Sequence, residues 1–387
     1  MPPVSRLRDL LVSDQCRIGT AFQSVGSARA DLDLPHVADL LHQVHETVRR
    51  IPSEETGTSD DVQRALDILS RQVERSLRTL RDHPGRPLTR SEKLSFEAVI
   101  RTDGTRPSLL VRNNEIDLEH PLARAWKPTL LDRLNLLRRL VPAVGRIEPR
   151  TPSTDRYFGT GWMIDSAKGL VITNLHVLEA LYRRLPHAFI PASNGSFRII
   201  GGNVFIDFAA ESGVTRSDRF RVVRAVASGA IGLDAAVLGI EPTRDDQNIP
   251  ASIDTSADVH GPWSFVASVC TIGFPAPPRY RDGIEEGVDW QWVNATLFGN
   301  CFGVKRLALG EIHRPVGTFP SDPRGWIFGH DSTTLGGSSG SPVLAWENGG
   351  AAIGLHFGGD SLDTNRAHRM GSFRDELVAM GVSTRLV

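Results

Sequence analysis

Near the N-terminus, apolar residues recur at three- and four-residue steps. Leu34, Val37, Leu40, Leu41, Val44 and Val48 form one stripe. Val62, Ala65, Leu66, Ile68, Leu69, Val73, Leu77 and Leu80 form a second. That period predicts two amphipathic helices. A Gly/Ser/Thr-containing break at 53–59 separates them, and Ser59 or Asp60 suits the N-cap of the second. His83-Pro84-Gly85 ends it, because proline cannot continue the hydrogen-bond ladder. A helical hairpin of this kind buries little alone, so a third helix or a partner chain is expected to cover it.

Residues 86–141 read as a mixed connector. Ser91 to Ile100 predicts a short helix, Ser108 to Val111 a strand after the turn Gly104-Thr105-Arg106-Pro107, and Leu130 to Leu140 a further helix broken by Pro142. From Val144 the texture changes. Short apolar runs (Trp162–Ile164, Leu170–Ile172, Val204–Phe208, Phe220–Val226, Ala235–Ile240, Phe265–Ile272 and Ala351–Leu355) alternate with Gly, Pro, Asn and Asp clusters. Many short strands at this spacing predict a β barrel or sandwich. The expected domains are therefore a helical adaptor region at 1–85, the connector at 86–141 and a mainly β domain at 142–380.

Composition narrows the function. Lys plus Arg number 44 and Asp plus Glu 45, a net charge of −1, which gives no footprint for a nucleic-acid partner. Arg138-Arg139 and Arg183-Arg184 read as solvated helix faces. A membrane-spanning helix needs about 18 apolar residues in a row, and no such run occurs. The first residues, MPPVSRLRDLLVSDQ, lack the apolar stretch of a signal peptide, so a cytoplasmic location is expected. Cys16, Cys270 and Cys301 are too few, and odd in number, for a disulfide framework, which leaves a Cys270–Cys301 pair open. His42 and His45 with Glu46 do not make a metal motif, and no phosphate loop or dinucleotide fingerprint occurs, so neither metal nor cofactor is expected.

Three motifs in the β region carry chemistry. They are Thr173-Asn174-Leu175-His176-Val177, Leu233-Asp234-Ala235-Ala236-Val237-Leu238 and Gly336-Gly337-Ser338-Ser339-Gly340-Ser341-Pro342-Val343. A serine hydroxyl needs an adjacent base at neutral pH. His176 suits that role for Ser339, and Asp234 suits the orientation of the imidazole. Gly337 allows a turn closed to residues with side chains, so that the N–H groups of Gly337 and Ser339 point at a developing oxyanion. Taken singly, each motif has a bland reading: strand and turn, a capping aspartate, a flexible linker. Their joint order and flanking strands outweigh those readings. Ser332, Ser338 and Ser341 are rival serines outside the Gly-X-Ser-Gly frame. Asp245 and Asp246 are rival acids that look like surface residues.

Together the motifs resemble the trypsin-like (chymotrypsin-fold) serine peptidases over roughly residues 145–375. The resemblance implies two six-stranded antiparallel barrels, a His-Asp-Ser triad and a protein or peptide substrate. Within it, Asp331 to Pro342 and Gly354-Leu355-His356-Phe357-Gly358-Gly359 look most like the glutamyl endopeptidases. In that group residues at the positions of Thr334 and His356 contact an acidic P1 side chain, and Gly358 would border the same pocket. Picornaviral main proteases place a histidine in a similar frame and read P1 glutamine. An imidazole at the pocket base donates to a carboxylate or amide oxygen, so a P1 preference for Glu, Asp or Gln follows. Zymogen-type trypsins carry Asp just before the nucleophile, whereas this chain has Ser338. The usual amine-to-Asp switch is therefore expected to be absent, and Arg146-Ile147 reads as the start of a strand. Trp290 and Trp292 are candidates for the cleft wall. The resulting expectation is an intracellular serine endopeptidase whose N-terminal helices recruit, sense or self-associate, by analogy with protease effectors of bacterial defence systems. The alternative is a catalytically silent protease-fold binding or scaffold protein.

Overall fold

Short apolar runs separated by turn residues become antiparallel strands here, because each tight turn returns the chain beside the strand it has just left. The structure is a computed structural model describing residues 104–151, 157–192, 196–256, 268–278, 284–285, 288–319, 322, 324–347, 349–360 and 364–383. The two N-terminal stripes, the Ser91–Ile100 helix and the His42/His45 pair lie outside the described residues.

The strands in chain order are β1 (Ser108–Arg112), β2 (Glu115–Ile116), β3 (Val144–Pro149), β4 (Gly159–Asp165), β5 (Leu170–Thr173), β6 (Phe189–Pro191), β7 (Ser196–Ile199), β8 (Val204–Asp207), β9 (Arg219–Ala227), β10 (Ala236–Pro242), β11 (Ser268–Gly273), β12 (Ile284–Glu285), β13 (Val288–Asp289), β14 (Arg306–Arg314), β15 (Ile327–His330), β16 (Pro342–Leu344), β17 (Ala352–Asp360) and β18 (Thr364–Arg369). Helix α1 (Lys127–Leu140) precedes the first barrel, α2 (Leu175–Arg184) follows β5, and α3 (Arg374–Ala379) follows β18.

Two closed six-stranded barrels result, which is the chymotrypsin-like fold expected from the sequence. The first runs β10-β5-β4-β3-β8-β9 and closes through β9–β10, with β7 and β6 added outside β9. The second runs β11-β16-β17-β18-β15-β14 and closes through β11–β14, with β1 and β2 added outside β14. Closure removes the exposed strand edges of an open sheet. The β4 strand is buried along its whole length. Its residues face the barrel interior on one side and the Gly337–Ser339 turn on the other, so the usual apolar–polar alternation disappears.

The described parts of the strand runs anticipated by the sequence fall within or beside named strands; residues 265–267 of one run lie outside the described residues, and Arg146-Ile147 lies inside β3, two residues past its start. Helix α1 covers the predicted Leu130–Leu140 stripe, burying Leu130, Leu137 and Leu140. Arg138-Arg139 and Arg183-Arg184 occupy the last turns of α1 and α2, where positive charge suits the helix dipole. A buried lysine ties the parts together. Lys305 Nζ, fully buried, donates to Val141 O (3.0 Å) and Phe208 O (2.7 Å) and pairs with Glu211 Oε1 (3.3 Å). Burial lowers its pKa to about 8, against the opposing pull of Glu211. Cys270 is buried and Cys301 partly exposed, and both are free thiols, so the pairing left open by the sequence is not made.

Candidate active site

Loops at the ends of β5 and β10 bring two of the three motifs together. His176 sits in the first turn of α2, just past β5. Asp234 lies two residues before β10 begins. Because β5 and β10 are hydrogen-bonded neighbours (Ala236 opposite Thr173), a base after one strand and an acid before the next meet on one rim. His176 Nδ1 lies 2.6 Å from Asp234 Oδ2, and the His176 amide donates to Asp234 Oδ1 at 2.9 Å. Asn174 Nδ2 donates to the Asp234 carbonyl at 2.9 Å. Asp234 is 3% exposed. Burial pushes its pKa up, but the His176 charge and the two hydrogen bonds from His176 outweigh it and hold the carboxyl below its ordinary value.

Ser339 arrives from the second barrel, on the loop between β15 and β16. The loop is laid across β4: the Thr160 amide donates to Ser339 O at 2.9 Å and Thr160 Oγ1 donates to Gly337 O at 2.8 Å. Gly337 and Gly340 adopt φ of +91° and +90°, a region closed to most residues with a side chain. A Cβ on Gly340 would lie 2.0 Å from Thr160 O, and one on Gly337 2.5 Å from the Tyr157 hydroxyl. The amides of Ser338, Gly340 and Ser341 donate to Leu335 O, His356 O and Ser338 O. Those of Gly337 and Ser339 meet no acceptor among the described residues, leaving two donors on one concave turn.

Behind the turn, two neutral imidazoles meet edge to face in the second barrel, with centroids 5.3 Å apart. His356 on β17 and His330 on β15 are both buried, with His330 Nε2 3.3 Å from His356 Nδ1. Burial first, then the charge of His176, lowers the pKa of His356 to about 3. Burial first, then His356 and His313, lowers that of His330 well below the usual histidine range. With both rings neutral, one proton lies between His330 Nε2 and His356 Nδ1; in the tautomer where His330 donates it, the His356 proton stands on Nε2, which has no partner among the described residues. Thr334 is also buried, and its hydroxyl donates to Asn365 Oδ1 at 2.6 Å, while Asn365 Nδ2 donates to Ser332 O. Gly358 lies just past a bulge in the β17–β18 pairing, and a Cβ on it would meet nothing within 4 Å.

The structure therefore brings His176 beside Asp234, and sets His356 and Gly358 on one strand. It places the Thr334 hydroxyl on Asn365. Asp245 and Asp246 fall in a turn, with Asp246 in an exposed pair with Arg244. Trp290 is buried against Leu335 of the loop between β15 and β16, in a cluster with Val293, Leu297 and Phe298. Four residues at the site escape a reading of the sequence. His330 is detectable as the histidine just before the Asp331 motif. Tyr157, Asn365 and His368 carry no local signal. His368, on β18, accepts a hydrogen bond from the Asp234 amide at 3.1 Å and stacks on Phe357 (centroids 4.2 Å apart), tying the acid's loop to the second barrel.

A double barrel of chymotrypsin type with a His–Asp pair on one rim and a glycine-rich serine turn laid against it defines a class of peptidases. The comparison with family models agrees: residues 159–355 match the trypsin-like peptidase domain. A probable serine protease of Lysobacter enzymogenes is 39% identical over 302 residues, covering 76% of this chain and 77% of the relative. The chain belongs to the trypsin-like peptidase family and is a serine protease. Among solved structures, the Rv3671c protease from M. tuberculosis in its active form is similar at 18% identity, covering 67% of this chain and 89% of that chain with a TM-score of 0.37. Its inactive form covers 66% of this chain and 96% of that chain, also at 18% identity and a TM-score of 0.37.

Proposed function

We propose that this serine protease is an endopeptidase using Ser339 as nucleophile, His176 as general base and acid, and Asp234 as the orienting carboxylate, with a P1 preference for Glu, Asp or Gln. The observation that carries the reading is the 2.6 Å contact between His176 Nδ1 and the buried Asp234 carboxylate. It keeps the Nδ1 proton on the Asp234 side and directs Nε2 to take the Ser339 proton. Ser339 Oγ then attacks the scissile carbonyl, and the oxyanion forms between the N–H groups of Gly337 and Ser339. Protonated His176 passes its proton to the leaving amine, and water repeats the sequence on the acyl-enzyme.

His356 supports the P1 assignment. A neutral ring donating from Nε2 suits a carboxylate or amide oxygen alike, and no carboxylate stands at Thr333 to attract a basic side chain. In this reading Thr334 acts through Asn365 and Gly358 borders the pocket. Thr334, His356 and Gly358 are thus the residues that link the chain to the glutamyl endopeptidase group. The free thiols Cys270 and Cys301 support a reducing compartment, hence an intracellular enzyme. Residues 1–85 would act as a recruiting or self-associating adaptor to the 142–380 protease domain.

The test is cleavage-site profiling of a peptide library with the intact chain beside Ser339→Ala. Cleavage after Glu, Asp or Gln that vanishes in the variant is the expected result. Cleavage after Arg, Lys, Phe or Leu would remove the role given to His356. Cleavage that persists in Ser339→Ala would remove the nucleophile.

A further inference from the structure

The wall of the nucleophile loop is held from outside the two barrels, by a segment far upstream in sequence. Arg106 lies just before β1. Its Nε pairs with Asp331 Oδ1 at 2.9 Å, and a second guanidinium nitrogen pairs with Glu311 Oε2 at 2.8 Å. Its own carbonyl accepts the Thr333 hydroxyl at 2.6 Å. The same Asp331 oxygen also accepts the Glu311 amide at 2.7 Å. Asp331 and Thr333, both buried, stand eight and six residues before Ser339. One upstream residue thus grips both ends of the triplet 331–333 that opens the nucleophile loop.

The segment is itself well anchored. β1 extends the second barrel by pairing with β14 (Ser108 opposite Ala308, Leu109 opposite Leu307), and the Leu309 amide donates to Pro107 O at 3.2 Å. Trp126 packs near Trp346 at 6.3 Å, lies under the Arg106 guanidinium at 5.8 Å, and donates from Nε1 to Thr105 O at 3.1 Å. Leu122 packs on the cluster containing Leu335, which is four residues before Ser339. Charge, sheet pairing and apolar packing from residues 105–126 therefore converge on residues 331–335.

We propose that residues 105–126 are a built-in buttress of the specificity wall, with Arg106 as a positioning residue that keeps the pocket in its competent shape without cleavage of the chain. The inference rests on the reading of 331–341 as nucleophile loop and pocket wall. Its physical basis is that a partly buried guanidinium shared by two carboxylates fixes the loop in two directions. Removing it leaves the buried Asp331 carboxylate without that cation, and the loop must rearrange to rehydrate it. Because Ser338 precedes Ser339, an amine released at a new N-terminus would find no carboxylate there. The cation supplied by Arg106 comes already attached.

The experiment compares the full chain with Arg106→Ala, Arg106→Lys and Thr333→Val, and with Lys127→Ala, which removes an exposed ion pair between Glu119 of the segment and the first residue of α1, as control. Two readouts are taken on each: kcat/KM for peptides carrying the preferred P1 residue or alanine, and the labelling rate by a small fluorophosphonate that reports Ser339 without filling the pocket. The expected result for Arg106→Ala is a loss of about 10-fold in discrimination between the two P1 residues, with labelling changed less than about 3-fold. Arg106→Lys should recover part of the loss, Thr333→Val should lose about 3-fold in discrimination, and Lys127→Ala should match the parent. Unchanged discrimination in both Arg106→Ala and Thr333→Val would overturn the buttress. So would peptide hydrolysis and labelling falling in parallel, which marks a general structural role. If Arg106→Ala does not fold, Arg106→Lys and Thr333→Val decide. A parent chain that takes no label overturns the nucleophile reading as well, whereas a labelled parent with indifferent variants overturns the buttress alone.

Discussion

The two barrels hold their shares of the candidate active site by different physics. The first presents charge. Asp234 is buried, receives two hydrogen bonds from His176, and keeps its carboxyl ionised against the cost of burial. The second presents backbone and neutral rings. Its serine turn depends on two glycines at positive φ, and the imidazoles behind it, His330 and His356, are uncharged at neutral pH. Thr160 from the first barrel and His368 from the second cross between them, through Gly337 O, Ser339 O and the Asp234 amide. Each barrel thus completes the other's half. The lesson is that the charged element is buried and held by hydrogen bonds, with His368 of the other barrel among its partners, while the serine turn is built from backbone and neutral groups that need no counter-charge.

The sharpest way to break the charged half is Asp234→Asn. An amide in this position favours the wrong imidazole tautomer, and kcat should fall about 10⁴-fold with KM little changed. Steady-state kinetics on the preferred peptide checks it, and a loss under tenfold would show that Asp234 is not the orienting acid. Breaking the backbone half calls for Gly340→Ala. The added Cβ meets Thr160 O and Thr173 Oγ1 and adopts an unfavourable φ. We expect a loss of about 3 kcal/mol, or about 10 °C in Tm, with kcat reduced as well. An unchanged melting curve would mean that the turn can move away from β4.

The smallest effect sharpens the comparison inside the first barrel. Glu179 lies three residues past His176 on α2, buried, with one carboxylate oxygen unpartnered among the described residues. Burial first, then the charge of Asp234, raises its pKa to about 7, although Arg183 and His176 oppose the shift. The two neighbouring carboxyls therefore have opposite linkage. Asp234, lowered, contributes stability above its unfolded pKa that is lost as pH falls. Glu179, raised, contributes stability below about pH 4.5 that is lost as pH rises through about 7. Glu179→Gln should flatten the decline in denaturation midpoint between those pH values. A parent and variant with parallel pH profiles would show that Glu179 ionises without penalty.

Much of the site is legible in the residues alone. His176, Asp234 and Ser339 are marked by short motifs whose neighbours in sequence are also their neighbours in space: the end of β5, the start of β10 and the turn leading to β16. Gly337 and Gly340 are legible because a Gly-X-Ser-Gly frame is a backbone requirement written in residue types. Thr334 shows the limit. Its place in the loop is readable, but its hydroxyl is held by Asn365, 31 residues away on β18. Tyr157 and His368 are illegible for the same reason: each acts through one hydrogen bond to a strand or loop distant in the chain.

The sequence by itself determined a series of short strands and the order of the motif residues along the chain, because periodicity and turn chemistry act over a few residues; the two barrels and the family were legible only through the resemblance those motifs carry. Tertiary structure alone decided which side chains stand behind them. The facing of His330 and His356 follows from both β15 and β17 pairing with β18. The grip of Arg106 on Asp331 follows from β1 joining β14 across a long stretch of chain. Such contacts depend on barrel closure and strand register, which no local pattern of residues encodes.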